Sequence, residues 1–297
     1  MNLIRKGISV LLAEGPVSFA VSVGRYFASK VRDVKSRLYP WYFRMYLRFA
    51  LVRGKFTLST RETSVAFVAE SKESITGTRM RFQSEKKLLD EIMDELESTD
   101  VFYDVGANVG LYTCFGATKC LKVVAFEPYP PNISELEHNA ALNGQDVTIL
   151  DVALSDETGE IGFITEANEK TEYPDAGSAG FGRGTITEET ADLMVQTVRG
   201  DELIAEGVVP PPNVVKIDVE GAEPLVIDGL ANALSDERCR AVYCEVHRPG
   251  EPRGSIQDFG VEEEEDLITR FEKLGFEQVS IEDSGGTDFL IKAKREK

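Results

Sequence analysis

Histidine, cysteine and tryptophan are scarce in this chain of 297 residues. It has two histidines (His138 and His247), four cysteines and one tryptophan. Cys114, Cys120, Cys239 and Cys244 form no Cys-x-x-Cys pair, and none stands at zinc-ligand spacing from a histidine. That excludes the usual zinc and dithiol motifs and predicts buried, reduced thiols in a cytoplasmic protein. No apolar run approaches the roughly 18 residues of a membrane-spanning helix. The start, Met1 to Ala13, faintly resembles a signal peptide. Glu14, Gly15 and Pro16 cut it short and no cleavage site follows, so export is not expected.

Positive charge is scarce as well, outside one segment. Residues 1–55 hold eleven basic and two acidic residues, a net +9, leaving −27 on the other 242 to give the overall −18. An acidic body argues against nucleic acid as its partner. It suits either a high-salt cytoplasm, where a dense carboxylate surface stays hydrated, or an ordinary acidic cytosolic protein.

The organising stretch is Val101-Phe-Tyr-Asp-Val-Gly-Ala-Asn-Val-Gly110, with Ala125-Phe-Glu127 downstream. A β-branched run stops at Gly106, a helical spacing follows from Val109 to Ala117, and a second strand, Lys122 to Phe126, ends at Glu127. That is a βαβ unit of the nucleotide-binding kind, with an acid where a ribose would lie. A pyrophosphate site wants three glycines. Here Asn108 takes the middle position and Asp104 precedes the turn, which disfavours a pyrophosphate and suits a cationic, phosphate-free ligand. S-adenosylmethionine, with its sulfonium, ammonium and ribose, fits better than NAD. The alternative is a βαβ connection whose glycines serve only a tight turn.

Strands and helices alternate after Val101: strands at 147–150, 214–219 and 240–246, helices at 131–142, 222–233 and 261–274, and a closing hairpin from 276–281 to 287–293. Gly159 to Ile164 and Leu193 to Val198 read as further strands, and residues 165–190 between them as a glycine-rich loop, either a lid or an insertion. Residues 56–83 read as short strands and 84–97 as a charged amphipathic helix. The expected fold is α/β: a Rossmann-like, mostly parallel seven-stranded sheet with one antiparallel strand, carrying a helical N-terminal extension. The division expected is 1–55 and 56–297, with the core at 84–293. Residues 1–55 read as helical with breaks, Pro16 opening one helix that runs to about Leu38. Their interleaved aromatic and basic residues suit either an anionic membrane surface or a cap packed on the catalytic domain.

Asp104 to Thr113, Phe126-Glu-Pro128, Asn139 with Asn143, Ala153-Leu-Ser-Asp156, Asp201-Glu-Leu203, Lys216-Ile-Asp-Val-Glu-Gly-Ala-Glu223 and Glu245-Val-His247, in this order, resemble the FkbM-type methyltransferases. The resemblance covers about residues 84–293. It implies S-adenosylmethionine as cofactor and methyl transfer to oxygen on a small molecule, a glycan or a lipid-linked sugar.

Ligands of open α/β sheets bind at the carboxyl ends of the strands. The candidate cofactor residues are therefore Asp104, Gly106, Asn108, Gly110, Glu127, Asp151, Ala153 and Asp218. Glu127 would take the ribose hydroxyls, and Asp151 would border the adenine or serve only the turn. For proton removal the candidates are His247, Asp218 and Glu245, with Glu220 as a competitor. His247 could instead simply cap its strand, and two of the carboxylates could hold a divalent cation. Lys216, inside an apolar strand, is expected to pair with Asp218 or Glu245. Peripheral association of residues 1–55 with the inner face of the membrane would bring a lipid-carried glycan to the enzyme. The competing functions are an NAD-dependent oxidoreductase and a non-catalytic cofactor-binding scaffold.

Overall fold

The computed structural model describes residues 41, 43–165, 184–187, 191, 193–247, 256–259, 261, 264–283 and 288–296. The chain divides into two compact units between Arg53 and Gly54. In the first, residue 41 and residues 43–53 are helical and belong to α1. The helix expected from Pro16 to Leu38 lies outside the described residues.

The second unit opens with a hairpin, β1 (Lys55–Ser59) and β2 (Ser64–Val68), and two helices, α2 (Lys72–Ser84) and α3 (Lys86–Glu95). Its central strands are β3 (Val101–Val105), β4 (Lys122–Phe126) and β5 (Thr148–Leu150), followed by β6 (Ala153–Leu154), β7 (Gly159–Thr165), β8 (Gly184–Thr187), β9 (Leu193–Val198), β10 (Val214–Ile217), β11 (Ala241–Val246), β12 (Gln278–Asp283) and β13 (Phe289–Lys294). The helices between them are α4 (Leu111–Gly116), α5 (Pro130–Leu142), α6 (Gly200–Ala205), α7 (Glu223–Gly229), α8 (Ala231–Ser235) and α9 (Glu264–Lys273).

The main sheet has seven strands in the order β12-β13-β11-β10-β3-β4-β5. Every pairing is parallel except those of β13, which runs antiparallel to both β11 and β12. This is the expected fold class. All four residues of β10 are buried, as are four of five in β3. Apolar, β-branched runs covered on both faces are what a parallel sheet centre requires. Beside it lies a second sheet, β6-β9-β7-β8.

Three expectations are corrected. Residues 72–83 are helical rather than extended. Ile75, Thr76, Gly77 and Thr78 are poor helix formers, but Ser71 and Ser74 form a reciprocal cap and Ile75, Thr78 and Phe82 bury one face. The following helix starts at Lys86, after a bend at Glu85, rather than at Ser84. Within the segment read as a loop, Gly184 to Thr187 is a strand, paired antiparallel with β7.

Two asparagines tie the hairpin to the nucleotide-type turn. The β2 backbone N–H groups of Ala66 and Val68 donate to Oδ1 of Asn143 (2.9 Å) and Asn139 (2.8 Å). Asn139 Nδ2 in turn donates to the carbonyl of Val109 at 2.8 Å. The free edge of β2 is thus satisfied by side chains of α5 and of the residue that caps its end. A chain of rings, Phe56, Phe67, Phe115 and Phe82, spaced 5.8 to 6.4 Å, packs the same region.

At the opposite end of the sheet, Arg240 is held by two carboxylates. It donates to both oxygens of Asp100 (2.8 and 2.5 Å) and to Glu95 Oε1 (3.0 Å), joining the start of β11 to α3 and the start of β3. Asp100 is buried, so removing the guanidinium strands its charge. Arg240→Met is expected to cost about 2–3 kcal/mol, somewhat less than a fully buried pair because the arginine is partly solvated. Urea unfolding at neutral pH checks this, and a loss under about 0.5 kcal/mol, the level of a neutral surface change, would contradict it.

Candidate functional site

A cleft opens at the carboxyl ends of β3, β4, β5 and β10; its empty space, open solvent at the mouth included, is about 630 Å³. Its floor is the βαβ turn. Gly106 has φ +78°, and a Cβ there would lie 1.9 Å from the carbonyl oxygen of Asp218. Only glycine lets β3 and the loop after β10 approach so closely. Gly110, at φ +86°, admits Leu136 of α5 in the same way, a Cβ falling 2.2 Å from Leu136 Cδ1. Asn108 is left-handed too (φ +50°), a conformation asparagine tolerates.

Glu127 lies in the cleft wall, buried. Its Oε2 accepts the Asn108 backbone N–H at 2.8 Å, and its Oε1 accepts those of Tyr129 (2.9 Å) and Asn132 Nδ2 (3.3 Å). Burial pushes its carboxyl up to about 7 in spite of those donors.

Asp218 begins the loop after β10. Its Oδ2 accepts from Lys216 Nζ and Arg81 Nη2, both at 2.9 Å. Burial alone would favour the neutral acid, but the two cations and the nearby His247 hold Asp218 ionised well below the usual carboxylate range. The expected pairing of Lys216 is thus with Asp218; its ammonium also lies 4.6 Å from the centre of the Tyr112 ring. In register beside Lys216 stands Asp104 of β3. Asp104 accepts from Thr113 Oγ1 at 2.6 Å, while burial raises its pKa and leaves its Oδ1 without a hydrogen-bond partner.

A second cluster adjoins the cleft at the end of β11. His247 Nδ1 lies 2.8 Å from Glu223 Oε1, and its Nε2 lies 3.2 Å from Glu220 Oε2 and 4.0 Å from Asp218 Oδ1. Burial would lower the imidazole pKa, but the Glu223 hydrogen bond and the charges of Glu223, Glu220 and Asp218 raise it to about 10. The ring is an imidazolium at neutral pH, with no lone pair to accept a proton. Glu245 behaves oppositely: the Asp218 charge and burial push it up to about 7. Asp218, Glu220 and His247 each bring a polar atom within 4.8 Å of the other two, a spacing that would also admit a divalent cation. Glu220 itself is left-handed at φ +54°, an outlier of the kind that clusters at functional sites.

Of the candidates read from the sequence, Gly106, Asn108, Glu127, Ala153 and Asp218 line the cleft. Glu245 and His247 stand at the adjoining strand end. Asp104 and Gly110 lie behind the turn, buried or at the cap of α4, and Asp151 is exposed beyond β5. His138 is exposed on α5. All four thiols are free, and burial pushes those of Cys114 and Cys239 up to about 12. The sequence reading missed Arg81, which enters the cleft from α2. Its signal was the i,i+4 pair with Glu85, hidden once that segment was read as strand; the two groups meet at 2.6 Å.

Comparisons with known proteins bear on this site directly. Residues 104–277 match the methyltransferase FkbM domain. The Haloferax volcanii protein named hexuronic acid methyltransferase AglP is 31% identical over 218 residues, 73% of this chain and 84% of that protein. The 31-O-demethyl-FK506 methyltransferase FkbM of Streptomyces tacrolimicus is 32% identical over 177 residues, 52% of this chain and 67% of the relative. The crystal structure of methyltransferase FkbM from Methylobacillus flagellatus KT is similar over 67% of this chain and 44% of its own, at 14% identity and a TM-score of 0.44. With its glycine turn, ribose-position acid and Lys216–Glu223 block all inside a match covering more than half its length, the chain belongs to the FkbM family of S-adenosylmethionine-dependent methyltransferases.

Proposed function

We propose that the chain methylates a sugar hydroxyl of a glycan and that the cleft at the ends of β3, β4, β5 and β10 holds the methyl donor. The observation that carries this is the charge order of the cleft wall. Arg81 is the one cation among its described lining residues, which also include the carboxylates of Glu127, Asp218 and Glu220. A zwitterionic sulfonium ligand needs that arrangement: carboxylates for its ribose and its positive groups, and one guanidinium for its carboxylate. The Gly106 backbone, which any Cβ would obstruct, gives close approach at the floor.

Glu127 is assigned to the ribose hydroxyls, Asp218 with Glu220 to the cationic end, and Arg81 to the carboxylate. The cofactor supplies an electrophilic methyl on sulfur. The chain's own task is to align the acceptor oxygen and take its proton. Glu245 is assigned that proton, since its carboxylate titrates near the working pH. Asp218 is too weak a base while Lys216 and Arg81 neutralise it, and His247 already carries its proton. The His247 imidazolium, oriented by Glu223, positions Glu220 and Asp218. An acidic sugar as acceptor is supported by the AglP relative, which is named for a hexuronic acid.

Transfer of labelled methyl from S-adenosylmethionine to glycan acceptors, with the product identified by mass, tests the acceptor class. An alkali-stable methyl ether is expected. An alkali-labile methyl ester would place the methyl on a carboxylate, which needs no base, and remove the role given to Glu245.

Two substitutions test the assignments. Arg81→Met should weaken S-adenosylhomocysteine binding by about tenfold or more, the worth of a charge-assisted pair, while leaving 5′-methylthioadenosine, which has no carboxylate, within about twofold. Equal losses for both ligands would make Arg81 a structural residue only. Glu245→Gln should lower kcat by about 10²–10⁴-fold without weakening cofactor binding. The wild-type kcat should rise with pH through about 7, as the Glu245 carboxyl becomes a carboxylate able to accept. A profile flat to pH 9 or a kcat unchanged in Glu245→Gln would contradict it.

A further inference from the structure

Helix α1 carries two apolar faces where a packed surface helix needs one. Leu47 and Ala50 are buried, which is the ordinary inward stripe. A second stripe is exposed: Trp41 (62%), Met45 (53%), Phe49 (57%) and Val52 (86%). At about 100° per residue these four positions fall within an arc of about 80°, on the side away from Leu47 and Ala50. Contiguous large apolar side chains in water mark an interaction surface, unlike the scattered single residues any protein shows.

The flanks of the stripe are basic. On the same helical projection Arg44 and Arg48 border one side and Arg53 the other, and all three are exposed. The Arg53 guanidinium lies over the Phe49 ring, 4.3 Å from its centre, so a cation stacks on the aromatic at one edge of the stripe. No acidic residue occurs from Trp41 to Arg61, in a chain whose net charge is −18. An apolar stripe rimmed by arginine complements an anionic bilayer surface, with the tryptophan at the headgroup level. Pairing α1 with a second copy of itself would instead set arginine against arginine. The described turns of the helix are flanked by arginines that are costly to bury in hydrocarbon, which suits a helix lying in the interface rather than crossing it. No helix among the described residues is long and apolar enough to cross a membrane.

We propose that α1 is an interfacial anchor that seats on anionic lipid through Trp41, Met45, Phe49 and Val52, with Arg44, Arg48 and Arg53 on the headgroups. The anchor holds the enzyme where a glycan carried on a membrane lipid is presented, and in that respect it rests on the glycan reading above.

Flotation of the full chain with phosphatidylcholine vesicles, with and without phosphatidylglycerol, tests it. Wild-type protein should float with the anionic vesicles, and high salt should weaken the binding. The double variant Trp41→Ser/Phe49→Ser should lose about tenfold or more of that partitioning by removing two apolar anchors. Arg44→Gln/Arg48→Gln should lose about thirtyfold at physiological ionic strength, at roughly 1 kcal/mol per basic residue. These side chains are exposed, so S-adenosylhomocysteine affinity should stay within about twofold, the range of a neutral surface change. No flotation of the wild type, or equal flotation of both variants, would overturn the anchor. So would a concentration-dependent dimer seen by light scattering that Trp41→Ser/Phe49→Ser dissolves, since the stripe would then be covered by a second copy. Cofactor binding and methyl transfer to detergent-dissolved glycan are read in parallel, so loss of the anchor and failure of the glycan reading give different results.

Discussion

The carboxylate of Asp218 is the point on which the site depends. One of its oxygens accepts from Lys216 of the preceding strand, β10, and from Arg81 of α2, each at 2.9 Å. Three things follow from that shared atom. A lysine can sit wholly buried in the middle of a parallel sheet, because its charge is paired with a carboxylate just beyond the end of its strand. Helix α2 is drawn to the cleft, although its sequence is poor in helix propensity. The remaining oxygen of Asp218 faces His247, which couples the cofactor wall to the strand end at Glu245.

Coupling of that kind explains why neighbouring groups of one cluster have opposite protonation. Asp218 stays ionised because two cations touch it. Its charge, together with Glu220 and Glu223, keeps His247 protonated; the same charge, with burial, lifts Glu245 toward neutrality. Titratable groups whose environments push their pKa values apart are how one site separates its acid and base roles. The backbone adds to this arrangement. Asn108 and Glu220, both lining the cleft, are left-handed, and Gly106 leaves no room for any side chain where β3 meets the loop after β10.

Much of this was legible in the sequence because it depends on local patterns. The alternation of apolar runs and helical spacings after Val101, the glycine turn, Glu127 at a strand end and the hairpin at the close all correspond to observed elements. A carboxylate partner for Lys216 was legible too, since a lysine in an apolar strand must find one; of the two candidates, Glu245 and Asp218, the fold selects Asp218. What was hidden depends on contacts remote in sequence. Residues 72–83 contain β-branched residues and a glycine, and they are helical through a serine cap and tertiary packing, so Arg81 went unseen. Gly184–Thr187 becomes a strand by pairing with β7, which no local feature announces. The protonation of His247 depends on Asp218, Glu220 and Glu223, one short segment that folding brings against the end of β11. Asn139, Asn143 and Asp201 stood out as motif residues. Their contacts are structural: the asparagines satisfy the edge of β2, and Asp201 accepts the first N–H groups of α8 at 2.8 and 2.9 Å.

The central claim is that the cleft between Gly106, Glu127, Arg81 and Asp218 is built for a zwitterionic sulfonium nucleoside and against a pyrophosphate. Calorimetric titration of the wild-type chain with S-adenosylhomocysteine and, in a separate cell, with NADH measures that preference directly. Saturable one-site binding of S-adenosylhomocysteine and no measurable heat with NADH are the expected results. Binding of NADH in preference, or of neither ligand, would contradict the claim.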